Sequence, residues 1–159
     1  MPKADLHESE DRFIDAVGEA IEFWGFKRIL GHTWAWLYLA GEPQDAAAIG
    51  KRLGLSKAAV STALKELEAW GCLRRFRRSG ERRELFEAEQ DVWAMVTRVF
   101  RQRELPRIVK TVEAFDGVRE SLKKRAGGKQ MEERIERLTD LAQIAIATMQ
   151  SVLDGGLPK

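Results

Sequence analysis

The stretch that most limits how this chain can fold lies before its midpoint. Ile49 and Leu53 mark the apolar side of one short helical run, Gly54-Leu55 interrupts it, and Ser56 opens a second run. In the second run Val60, Leu64 and Leu67 recur at spacings of four and three until Trp70-Gly71 ends it. Ser56 is an N-cap candidate, because its hydroxyl can accept from an otherwise unpaired N–H of the first turn. Lys57, Ser61, Thr62 and Lys65 are left on the other faces. A short helix, a glycine turn and a second helix with an apolar inner stripe and a small, polar, basic outer face is the pattern of a helix-turn-helix.

The period then changes. Residues 72–78 and 82–87 flank the turn-forming cluster Ser79-Gly80-Glu81 and read as two strands, with Leu73 and Leu85 facing inward. A two-stranded ribbon is marginal alone, so it must pack on its neighbours. After a helix-turn-helix it is a wing.

Helical spacing governs both flanks. Phe13, Ile14, Val17, Ile21 and Trp24 predict a first helix closed by Gly25, and Phe26, Ile29, Leu30, Trp34, Leu37 and Tyr38 a second one stopped by Gly41-Glu42-Pro43. Beyond the wing, Trp93, Val96, Val99 and Phe100 run until Pro106 disrupts the pattern, and Ile108 to Leu122 resume it until Gly127-Gly128. The last segment places Met131, Ile135, Leu138, Ala142, Ala145, Met149 and Val152 on a heptad seam, widened by Leu141 and Ile144. Such a seam serves either the chain's own core or a partner; in a DNA-binding protein the dimer is favoured, since two-fold symmetry lets one protein read two half-sites. The fold class expected is mainly α with a small β-hairpin. It is one domain over residues 1–159, with a winged helix-turn-helix at 26–89 and dimerisation helices at 7–25 and 90–153.

Charge sharpens the reading. The chain of 159 residues has a net charge of only +2, yet residues 50–83 hold ten basic residues against three acidic ones. A basic middle in an acidic remainder is the footprint a polyanion would explain, and a solvated charged face is the plainer alternative. Ser61 and Thr62 are short enough to let the helix approach base edges, while Ser56, Lys57 and Lys65 can hold phosphates or outer edges. Ser56 can also be only a cap. Of the six arginines in 74–83, Arg78, Arg82 and Arg83 lie nearest the turn and are the favoured contacts, with Glu81 placed to orient one guanidinium.

The stretch GEPQDAAAIGKRLGLSKAAVSTALKELEAWGCLRRFRRSGERRELFEAEQDVW resembles the winged helix-turn-helix of the MarR superfamily, and within it the GbsR-type branch of bacterial transcriptional regulators. The resemblance rests on the Leu53-Gly54-Leu55-Ser56-Lys57 turn, the helix end from Leu64 to Gly71 and the Gly80-Glu81-Arg82-Arg83 tip. It implies a homodimer that binds a double-stranded DNA operator, usually as a repressor, and is modulated by a small-molecule effector. Trp34, Trp36, Tyr38 and Trp93 are candidates for that pocket, since aromatic faces can cage a quaternary ammonium, although ordinary core or interface packing is the favoured account of Trp24, Trp34 and Trp93. Trp36 falls off its helix's apolar stripe.

Other chemistries find little footing. His7 and His32 stand far apart in no metal-ligand spacing, and no phosphate-cradling glycine loop or nucleophile motif occurs, so neither an enzyme nor a cofactor or metal is expected. The single cysteine, Cys72, reads as a small buried residue at a strand start, with a redox switch tuned by Arg74 and Arg75 as the alternative. The longest stretches without charge, 29–41 and 141–153, are too short for a membrane span, and the charged N-terminus lacks a signal core. A cytoplasmic protein is expected. A winged helix that serves protein assembly without touching DNA is the competing function.

Overall fold

The computed structural model describes residues 3–80, 82–125 and 127–155. Glu81, read above as a partner for the wing arginines, lies outside the described residues. The chain forms two compact units, Met1–Met95 and Val96–Lys159, taken in turn below.

In the first unit, α1 (Lys3–Phe23) packs along α2 (Arg28–Ala40). Their backbones nearly touch: a Cβ on Gly31 would stand 2.8 Å from the Cα of Gly18, so only glycine fits this crossing. α1 starts earlier than the apolar spacing alone predicts, running back through the acidic segment, whose carboxylates suit the positive end of a helix. Ile14 is buried as expected, whereas Phe13 and Trp24, read as core-facing, are exposed. α2 is the hub, burying Leu30, Ala35 and Leu37 and meeting α1, α3, α4 and the sheet.

The helix-turn-helix follows as α3 (Ala46–Leu53) and α4 (Lys57–Ala69). Gly54 supplies the left-handed residue between them, at φ 64°, and its N–H closes on the Gly50 carbonyl. The wing is β2 (Leu73–Phe76) and β3 (Leu85–Ala88), paired antiparallel from Leu73 opposite Ala88 to Phe76 opposite Leu85. Leu73 and Leu85 are buried as predicted, and Cys72 is a buried free thiol. Both strands are shorter than expected. A third strand unseen in the sequence, β1 (Gln44–Asp45), pairs with β3 to give the order β1-β3-β2; two residues carry no readable alternation.

α5 (Val92–Val99) leads into a π-helical turn, Phe100–Glu104, and α6 (Leu105–Lys123). The break expected at Pro106 is thus a slip of register: the ladder widens before the proline, which then sits in the first turn of α6, where its missing N–H costs least. In the second unit α6 packs on α7 (Lys129–Gly155), and Arg119 bridges Asp116 at 3.2 Å and Glu136 at 2.6 Å across the pair. The predicted seam splits into two rows. Ile135, Ala142 and Met149 are half-buried beside the buried Thr139 and Leu153, while Met131, Leu138, Ala145 and Val152 are exposed.

Candidate nucleic-acid interface

The surface starts from how α4 is held. Val60, Ala63, Leu64 and Leu67 are buried on its inner face, and the Ser56 hydroxyl accepts from the Ala59 N–H at 3.2 Å, so Ser56 is an N-cap. This leaves Ser56, Lys57, Ser61, Thr62 and Lys65 all exposed on one capped helix. Lys57, Ser61 and Lys65 form one wall of a groove of about 860 Å³, whose other walls are α3, with Lys51, and the wing, with Arg75, Arg83 and Glu84. Lys51 did not stand out in the sequence; only the turn between α3 and α4 brings it to the groove beside α4.

The wing arginines are exposed but differ in their partners. Arg74 pairs with Glu87 at 3.0 Å, Arg75 with Glu68 at 3.1 Å and Glu84 at 3.7 Å, Arg77 with Glu84 at 2.8 Å, and Arg83 with Asp45 at 3.0 Å. Arg78 and Arg82 have no ion pair among the described residues. Of the three arginines favoured from sequence, then, two are without an ion pair among the described residues and Arg83 is tied to the base of the helix-turn-helix. The Asp45 carboxylate also caps α3 by accepting from Ala48 N–H at 2.8 Å. That amide first, and Arg83 after it, hold its carboxyl below the usual carboxylate range. Glu84 is likewise held low, chiefly by the hydrogen bond from Arg77.

The aromatic residues divide. Trp34 and Tyr38, one turn apart on α2, stack at 4.9 Å between centroids, whereas the face of Trp36 carries the guanidinium of Arg52 at 4.9 Å. The cation over Trp36 is thus the chain's own, and it explains a tryptophan off the apolar stripe. Arg52, on α3, also reaches α1, donating to Asp11 at 2.7 Å and Glu10 at 3.3 Å. The indole N–H groups of Trp34 and Trp36 are buried without a hydrogen-bond partner among the described residues. Trp93 is half-buried on α5. Among the described residues no group of three or more His, Cys, Asp or Glu is arranged to hold a metal, and no helix is long and apolar enough to cross a membrane.

A helix-turn-helix followed by a β-ribbon on a helical scaffold defines a winged helix-turn-helix protein. Residues 29–84, the segment that holds the helix-turn-helix and most of the wing, match the MarR family model. The family of that model is one of transcriptional regulators, not enzymes. The HTH-type protein YvaV of Bacillus subtilis (strain 168) is 23% identical over 99 residues, covering 62% of this chain and 56% of YvaV. The HTH-type transcriptional repressor GbsR of the same organism is 26% identical over 97 residues, covering 61% of this chain and 53% of GbsR. The matches thus span about half the length of these curated relatives. A crystal structure of a transcriptional regulator shares the fold at a TM-score of 0.65 and 19% identity, over 92% of this chain and 96% of that one.

Proposed function

We propose that this chain is a cytoplasmic, sequence-specific transcriptional repressor that binds a two-fold operator as a homodimer. The observation that carries the reading is the capped α4, with five small or basic side chains exposed on one helix beside a wing whose Arg78 and Arg82 have no ion pair among the described residues. Ser61 and Thr62 read base edges in the major groove, and Ser56, Lys57 and Lys65 hold phosphates. Arg78 and Arg82 contact the backbone or enter the flanking minor groove, and Arg83 braces the wing from its pair with Asp45. The DNA-binding lobe is 26–89, and residues 7–25 and 90–153 dimerise.

The exposed row of α7 supports the dimer: Leu138 is 56%, Leu141 64% and Ile144 64% exposed, an apolar face of the kind that association buries. Two such lobes would set their recognition helices about 34 Å apart. Leu138→Asp is expected to give monomers by light scattering; a persistent dimer would move the interface elsewhere. A small molecule that accepts from the unpartnered Trp34 or Trp36 N–H would modulate the repressor if it bound the two conformations unequally.

Selection of bound sequences from a random duplex pool, followed by anisotropy titration at two salt concentrations, tests the whole reading. Enrichment of a two-fold-symmetric motif is expected. No binding at either salt would overturn it in favour of a winged helix that serves protein assembly.

A further inference from the structure

Four of the six wing arginines are already paired within the molecule, and the pairing is not evenly distributed around the groove. Glu84 is its centre: one carboxylate oxygen accepts from Arg77 at 2.8 Å and the other lies 3.7 Å from Arg75. Glu84 and Arg75 both line the groove bounded by Lys57, Ser61 and Lys65. We propose that Glu84 is a specificity-determining residue that holds Arg77, and together with Glu68 also Arg75, away from the DNA backbone, keeping sequence-independent binding weak so that base contacts from α4 decide where the protein stays. The inference rests on the DNA-binding reading above and names how that surface discriminates.

The physical case begins with what a phosphate meets. Sequence-independent affinity comes from cations that replace the counterions condensed on DNA, and each one counts toward the salt dependence. A guanidinium already neutralised by a carboxylate contributes little: the phosphate must displace Glu84 or accept a negative charge beside it. Since the hydrogen bond from Arg77 keeps Glu84 ionised well below neutral pH, protonation does not relieve that repulsion. Base readout keeps its own side chains, because Ser61 and Thr62 belong to α4 and are not the partners of Arg75, Arg77 or Glu84 in these ion pairs. Removing phosphate contacts while keeping base contacts widens the gap between operator and random DNA.

A merely structural role is the rival. Arg77 and Glu84 stand one position beyond the last paired residues, Phe76 and Leu85, so their bond also closes the mouth of the hairpin. The two roles predict opposite signs. Glu84→Gln keeps a neutral acceptor for Arg77 and removes the charge; it frees Arg77 and leaves Arg75 to Glu68 alone if Glu84 restrains them, and loosens the wing if Glu84 only braces it. Both partners are exposed, Glu84 at 38% and Arg77 at 63%, so the substitution is tolerable for folding. Glu87→Gln is the matched control, because its partner Arg74 alternates to the other face of β2 and does not line the groove.

The experiment titrates the full chain and both variants against a random-sequence duplex and the selected duplex, between 50 and 200 mM salt. Glu84→Gln is expected to tighten random-duplex binding several-fold and to steepen its log–log salt slope by about 0.9, for the contact recovered by Arg77, since Arg75 keeps Glu68. Binding to the selected duplex rises less, so the specificity ratio falls, and Glu87→Gln behaves as the parent chain. Weaker or unchanged random-duplex binding by Glu84→Gln, with an unchanged slope, overturns the proposal. Absence of duplex binding by the parent chain at any salt fails the DNA-binding reading itself, a different result that removes this inference with it.

Discussion

The recognition helix and the wing are assigned one task and are built in opposite ways. α4 is fixed from beneath by buried Val60, Ala63, Leu64 and Leu67 and from its end by Ser56, so Lys57 and Lys65 on its outer face make no ion pair among the described residues. The wing buries little beyond Leu73, Leu85, Phe86 and Ala88, and its outer side chains are organised by carboxylates from two other places, Asp45 before α3 and Glu68 on α4, and by Glu84 and Glu87 on its own second arm. Apolar burial leaves charges free to meet a ligand, whereas ion pairing spends them on structure. In the proposed reading the protein therefore carries a rigid reader beside a partly self-neutralised clamp.

The comparison breaks first in the core. Leu64→Ala removes a buried side chain beneath the recognition helix and is expected to destabilise the first unit by about 2–5 kcal/mol, read by urea denaturation. A loss below 1 kcal/mol would mean α4 is not held by that contact. Next is Arg52, whose side chain is 22% exposed and joins α3 to Trp36 and to α1. Arg52→Met is expected to cost about 1–2 kcal/mol and to weaken DNA binding without altering its salt slope, since this arginine positions α3 and meets no phosphate. A flatter slope would instead make Arg52 a contact. Asp45→Ala follows at about 1 kcal/mol, the usual worth of an N-cap. Because the folded carboxyl is held low, its contribution is complete above the unfolded value of about 3.9 and fades as pH falls through the lower folded value; the variant's acid unfolding curve should lack that step.

What could be read from the sequence follows the same division. The turn at Gly54, the Ser56 cap and the inner stripe of α4 are local signals, each complete within eight residues, and they place five candidate contacts on one exposed helix. The wing's ion pairs are not local. Arg83 meets Asp45 across 38 residues, and only the β1–β3 pairing, carried by a two-residue strand, sets them together. Arg74 opposite Glu87 was in principle legible once the hairpin register was known. The heptad spacing of α7 was visible, but spacing alone does not say which row faces α6; Thr139 and Leu153, outside the predicted seam, are the buried ones.

The smallest effect gives the finest test of the contrast, because it separates two neighbouring arginines that sequence treats alike. Arg82 and Arg83 are both exposed near the tip, yet Arg83 is held 3.0 Å from Asp45 while Arg82 has no ion pair among the described residues. Neither alanine substitution should move stability by more than about 0.5 kcal/mol for Arg82, or about 1 kcal/mol for Arg83, which leaves Asp45 with its amide partner alone. On DNA the order reverses. Arg82→Ala should flatten the log–log salt slope by about 0.9, the signature of one lost phosphate contact, and Arg83→Ala by distinctly less. Equal flattening would mean that phosphate takes Arg83 from Asp45 on binding. The wing's ion pairs would then be a resting arrangement that DNA rearranges, and Asp45→Asn would be expected to tighten binding as Glu84→Gln does.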